Sequence, residues 1–317
     1  MTTIINTRDR NHFSRYQFKG SLWKPYSWDA KINLFRIILN NILALMAQKI
    51  NNKMIKKLFF FLLVGSISQA SLAQDRVFTY TYQTNVLPSG VKELEYWSTL
   101  RSGKKEFYNA IDQRFELELG LGKNVQTAFY FNVSTAISKG ADGLVRTSET
   151  GFSNEWKFKL SDPVANKIGT GLYGEIGFNG SEFEFEGKVL FDKKFGNNLI
   201  ALNLIGEYEI EYEAEKNEVE TETETPFELD LAFMHFPGSH TGIGLEVRNH
   251  NEIEEGDWEN SVWYAGPTLH FNGTNWFINV NVMPQLFNAK KEEGVTDKLE
   301  LNDHEKLEAR VLLSFTF

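Results

Sequence analysis

Ile111-Asp112-Gln113-Arg114-Phe115-Glu116-Leu117-Glu118-Leu119 alternates without a break: Phe115, Leu117 and Leu119 fall on one face of an extended chain, and Asp112, Arg114, Glu116 and Glu118 on the other. Successive side chains of a strand point to opposite sides, so this stretch is a strand with one apolar and one ionic face. The pattern recurs. Phe129, Phe131 and Val133 oppose Tyr130, Asn132 and Ser134; Trp156, Phe158 and Leu160 oppose Glu155, Lys157 and Lys159; Leu172, Ile176 and Phe178 oppose Tyr173 and Glu175. The same design runs through 183–191, 202–212, 227–233, 243–247, 263–271, 276–282 and 307–317, and with 91–98 at the front this gives about twelve strands. Many approach the ~9 to 11 residues that carry a tilted strand across a bilayer.

Strands of a soluble sheet alternate too, so the connections carry the decision. Every second one is tight and turn-like: 120–124, 162–167, 194–198, 236–240 and 272–275. Those between are longer and polar, 100–110, 138–153, 213–225, 250–261 and 288–304, with 179–182 the short exception. This asymmetry predicts an all-β fold: a closed antiparallel transmembrane β-barrel with short periplasmic turns and longer extracellular loops. Closure follows because an open sheet in hydrocarbon would leave two edges of unpaired N–H and C=O groups. Aromatic girdles are expected from Trp276, Phe271 and Phe317 near the turn end and from Trp156, Tyr212 and Trp263 near the loop end.

Ahead of the barrel, Met54-Ile55-Lys56-Lys57, the apolar run 58–65 and the small residues Ser71-Leu72-Ala73 have the order of a secretory signal peptide. The expected organisation is a mis-called extension or leader over 1–53, a signal peptide over 54–73, a periplasmic segment over 74–90 and the barrel over 91–317. The first 73 residues hold 11 of the 33 Lys and Arg and 2 of the 42 Asp and Glu, which leaves 22 against 40 and a net charge of −18. Such a chain repels nucleic acid and attracts cations. Cysteine is absent, so disulfides, thiolate metal sites and a cysteine-borne lipid anchor are excluded.

The last segment, Ala309-Arg310-Val311-Leu312-Leu313-Ser314-Phe315-Thr316-Phe317, resembles the C-terminal strand of Gram-negative outer-membrane β-barrel proteins. Asn85 to Tyr96, with Leu87-Pro88-Ser89-Gly90, is similar to the first strand of uncharacterised porin- or transporter-like barrel families. The resemblance implies a bacterial outer-membrane location, contact with outer-membrane lipids and lipopolysaccharide, and recognition of Phe315 and Phe317 by the barrel-assembly machinery.

The candidate pore lining is the ionic inner face: Glu93, Glu95, Asp112, Glu116, Glu118, Glu175, Glu184, Glu186, Glu207, Glu209, Glu228, Asp230 and Glu246, with Arg114, Lys157, Lys159, Lys188, Arg248 and Arg310 as counter-charges. Excess carboxylates in a polar lumen favour cations. An interior salt-bridge network that fills the barrel is the other reading of the same residues. The acidic run Glu213 to Glu224 reads as a solvated, self-repelling loop. Gly169-Thr170-Gly171-Leu172-Tyr173-Gly174 has dinucleotide-binding spacing but sits inside a strand, where its glycines make interior room. No cofactor, metal centre or catalytic group is expected, since no histidine carries the serine spacing of the phospholipase barrels. The function expected is a narrow channel or uptake component for small polar or cationic solutes. The alternatives are a closed structural or surface-interaction barrel and, more remotely, a lipid-modifying enzyme.

Overall fold

Alternation over β1 (Lys92–Ser102), β2 (Tyr108–Gly122), β3 (Val125–Gly140) and β4 (Gly143–Ser161) builds the first wall of an antiparallel sheet in a computed structural model that describes residues 76–215, 218–254, 256–291 and 297–317. The expected extension and signal peptide lie outside the described residues. The wall continues through β5 (Gly169–Asn179), β6 (Glu182–Phe195), β7 (Asn198–Glu215), β9 (Phe227–Gly238), β10 (Thr241–Glu254), β11 (Asp257–Asn272), β12 (Trp276–Asn288) and β13 (Leu307–Thr316). β13 pairs with β1 from Glu93↔Thr316 to Ser102↔Leu307, which closes a ring of twelve strands. No sheet edge faces the surroundings within the ring, as backbone chemistry in hydrocarbon requires.

The thirteenth strand, β8 (Glu218–Glu224), is a correction to the expected loop. It pairs with the upper part of β7, from Glu209↔Glu224 to Glu215↔Glu218, while β7 pairs directly with β9 from Asn198↔His235 to Gly206↔Phe227. β8 therefore stands outside the ring. Two other expected loops are also hairpins. β3 and β4 pair up to Gly140↔Gly143, and β10 and β11 up to Glu254↔Asp257. Above a membrane the outer face has no need to be apolar, so polar strand continuations look like loops in sequence. The opposite end is tight: Lys123 and Asn124 both take positive φ between β2 and β3, the geometry of a primed two-residue turn.

Burial is inverted relative to a soluble protein. Leu94, Phe115, Phe129, Phe131, Phe152, Ile176, Phe178, Phe233, Leu245 and Phe315 are exposed on the outer face, whereas Glu95, Glu116, Glu155, Asp230 and Glu246 are almost wholly buried. Trp156 pairs across from Thr127, two residues from the start of β3, so it belongs to the turn-end girdle with Trp276 and not to the loop end. The long upper continuation of β4 displaced the expected position.

Candidate functional site

All nineteen candidate lining residues lie on strands with their side chains buried or half-buried on the inner face. Glu93, Glu95, Glu116, Glu118, Lys157, Glu175, Lys188, Glu228, Asp230 and Glu246 are buried; Asp112, Arg114, Lys159, Glu184, Glu186, Glu207, Glu209, Arg248 and Arg310 are half-buried. They do not face one continuous pore. Residues 76–87, part of the expected periplasmic segment 74–90, are folded into its lumen. The reason is visible in their backbone: an irregular segment can be buried only if side chains supply the hydrogen bonds that a strand would have made.

The segment is a re-entrant loop. Val77 and Phe78 pack near the turn end against Leu199, Ala201, Ala232 and Met234. Tyr80 reaches higher, against Val262, Tyr264 and Met283. Tyr82 returns against Trp97, Tyr173, Leu190, Phe277 and Leu312. Leu87 and Pro88 leave at the turn end beside Gly120, where a Cβ would lie 2.0 Å from the Pro88 carbonyl oxygen.

Glu246 is the central anchor. Its Oε1 accepts the Thr79 N–H at 2.9 Å and the Thr79 hydroxyl at 3.0 Å, and its Oε2 accepts the N–H groups of Tyr80 at 2.8 Å and Thr81 at 3.0 Å. Three successive amides thus converge on one carboxylate. Asn203 brackets Tyr82, accepting its N–H at 2.6 Å and donating to its carbonyl at 2.9 Å. Asp192 takes the N–H and hydroxyl of Thr84, Gln126 takes the N–H of Leu87, and Asn279 donates to the Arg76 carbonyl. Gly169 makes room here as well, since a Cβ would meet Asp192 and Thr84.

Cations then clamp the aromatic rings. Arg76 lies between Tyr82 at 3.8 Å and Trp97 at 4.3 Å, and Arg310 lies over Tyr80 at 3.7 Å while donating to the Thr79 carbonyl. Lys188 sits 4.6 Å from the Tyr82 ring and bonds Glu186 at 2.9 Å. These contacts fall in the range where cation–π attraction is effective.

Above Tyr80 and Tyr82 the lumen opens into a vestibule of about 580 Å³ reaching the rim at Asn179 and Glu182. Its ion pairs are those of a wet wall: Arg248 to Glu228 at 2.6 Å and to Glu308 at 2.8 Å, Arg114 to Glu175 at 3.7 Å, and Arg101 to Asp112 at 2.7 Å. Lys159 takes no part, being turned to Asp162 at the turn end. That lysine and the Val164 and Ala165 amides push the Asp162 carboxyl down to about 2. Over the opposite rim, His304 Nε2 donates to the Asn260 Oδ1 at 2.9 Å, and burial, with His250, Lys104 and Arg248 adding, pushes it down to about 3.

Residues 70–317 match a family of unknown function, DUF6662. The chain belongs to that family. No curated protein matches it. Among solved structures, this DUF6662 member resembles an outer-membrane channel from Pseudomonas putida F1, with a TM-score of 0.54, 10% identity and coverage of 76% of this chain and 100% of that one. It also resembles the beta domain of the Bordetella autotransporter Brka, with a TM-score of 0.50, 8% identity and 72% and 100% coverage. The translocator domain of the autotransporter NalP from Neisseria meningitidis gives 0.50, 8%, and 74% and 91%. The fold is that of outer-membrane barrels.

Sequence reasoning missed the neutral anchors Gln126, Asn203 and Asn279. The available signal was their type: amides at inward positions otherwise given to charges. The other signal was Val77-Phe78-Thr79-Tyr80-Thr81-Tyr82, an aromatic alternation too short to span and lying outside the strand series.

Proposed function

We propose that the protein is an outer-membrane channel for small polar solutes, favouring cations, whose passage is held shut by its own residues 76–87. The supporting observation is the vestibule, a half-lumen with water-facing charge and a floor made of a segment that no backbone ladder fixes in place. Nine carboxylates line it against five Lys and Arg, so it attracts cations. On this reading the turn end is periplasmic, the loops face outward among lipopolysaccharide, and Phe315 and Phe317 serve recognition by the assembly machinery.

A structural barrel is the second reading, favoured by how fully the segment is hydrogen-bonded. Planar-bilayer recording separates the two. The purified protein should open rarely, and a variant lacking residues 76–87 should conduct steadily with cation preference. A deletion variant that folds, as judged by faster migration on unboiled gels, yet stays silent would sink the channel and leave the structural barrel.

A further inference from the structure

At the foot of the lumen, β1 places Glu95 directly across from Glu116 of β2, with Glu118 one inward position away and across from Glu93. Like charges directly opposite each other on neighbouring strands destabilise a sheet unless something lies between them. Oxygens of Glu95, Glu116 and Glu118 come within 4.8 Å of one another. One calcium ion with bonds of about 2.3 to 2.6 Å reaches three oxygens that lie up to about 4.0 to 4.5 Å apart, so a small side-chain movement brings this cluster onto a common ion.

A second observation is independent of the clustering. Glu116 is wholly buried and its carboxylate oxygens meet no donor beyond the neighbouring Glu118 carboxyl among the described residues; Glu95 is wholly buried and its Oε1 has none. The nearby donors do not reach these oxygens, and Arg76 Nη1 is itself without a hydrogen-bond partner. Trp97 Nε1 donates at 2.8 Å to the other Glu95 oxygen, and Arg76 approaches that same oxygen only to 4.0 Å while donating to the Phe78 and Thr79 carbonyls. Other inner carboxylates show what compensation looks like in this barrel: Glu246 has three amides and Glu228 has Arg248. A buried charge left bare costs several kcal/mol.

We propose that Glu95, Glu116 and Glu118 bind one hard divalent cation of the calcium class. Carboxylate oxygens are the donors such ions select. The site stands apart from the channel reading, since it needs no flow through the lumen.

The test is titration of the purified, chelator-treated protein with Ca²⁺ by calorimetry, and with Tb³⁺ by luminescence excited through tryptophan. Trp97, hydrogen-bonded to Glu95, is the antenna. One saturable site per chain is expected, with Ca²⁺ displacing Tb³⁺. Glu116→Gln should weaken binding about ten-fold or more, because ligand charge sets affinity at such sites. Glu184→Gln, in the half-buried group with Glu186 and Glu207, should leave binding unchanged. Glu118→Gln, at a less deeply buried position, gives the same reading if Glu116→Gln does not fold. No saturable site in the unsubstituted protein, or an affinity unchanged from the unsubstituted protein in both Glu116→Gln and Glu118→Gln, overturns the proposal.

Discussion

The foot and the vestibule of this lumen are lined by the same alternating strands, yet they use their inward polar groups differently. In the vestibule, carboxylates are answered by side-chain cations: Glu228 and Glu308 by Arg248, Glu175 by Arg114. At the foot, Glu246 and Asp192 are answered by backbone, joined by Asn203 and Gln126 in holding the amides of residues 79–87. An ion pair across a wet wall is worth little, whereas a buried amide deprived of its acceptor costs about 1 to 3 kcal/mol. The foot is therefore the half where single substitutions act most strongly.

Glu246→Ala is expected to have the largest effect. It removes the acceptor for three amides and the Thr79 hydroxyl, which weakens retention of the segment by about 3 kcal/mol and raises the population of open lumen on the order of 100-fold. Bilayer recordings should show frequent openings; a closed trace identical to the unsubstituted protein would erase the distinction between the two halves. Arg248→Met comes next. It leaves Glu228, Asp230 and Glu308 without their cation, and about 2 kcal/mol of stability should be lost, below the 3 to 5 expected in a dry interior because vestibule water resolvates the carboxylates. Reversal potentials of an opened variant should shift towards stronger cation selectivity, and an anion-selective shift would contradict the charge assignment.

Acidification should act at the rim before the foot. His304 is held neutral in the fold, so its contribution is intact above about 6.5, the ordinary histidine value, and is lost as pH falls from there towards about 3. Thermal unfolding between pH 7 and pH 4 should fall less steeply in His304→Gln than in the unsubstituted protein; parallel curves would remove His304 from the account. Asp162→Asn should matter least. Its depressed carboxyl contributes above about 3.8 and loses that contribution as pH falls towards 2, but the side chain is solvated and the change in melting temperature should be small above about pH 3.8 and vanish towards pH 2.

The barrel itself was legible because membrane strands must alternate over their full length, and 111–119 shows this with no tertiary information. Its height was not. Residues 138–153 read as a loop because Thr147, Ser148 and Glu149 interrupt the apolar face, although backbone pairing there continues from Ala136↔Thr147 to Gly140↔Gly143. The same continuation misplaced Trp156. Alternation places all nineteen candidates on one face of their strands, but it does not give their partners. Whether Glu246 meets water, an arginine or a chain of amides depends on where Thr79, Tyr80 and Thr81 lie, and these are more than 160 residues away in sequence. No periodicity encodes that meeting; the inward amides, the aromatic alternation of residues 77–82 and the glycines at 120 and 169, which clear its path, are the traces it leaves.

The most direct measurement is native-state amide hydrogen exchange, followed by mass spectrometry, over the peptide spanning residues 76–87. A segment with no backbone ladder ordinarily exchanges within moments, whereas one whose amides are bound to buried wall side chains is protected. The account predicts slow exchange comparable to that of β9 and β10, with Glu246→Ala restoring fast exchange at this peptide and leaving the strands protected. Fast exchange of residues 76–87 in the unsubstituted, folded barrel would contradict it.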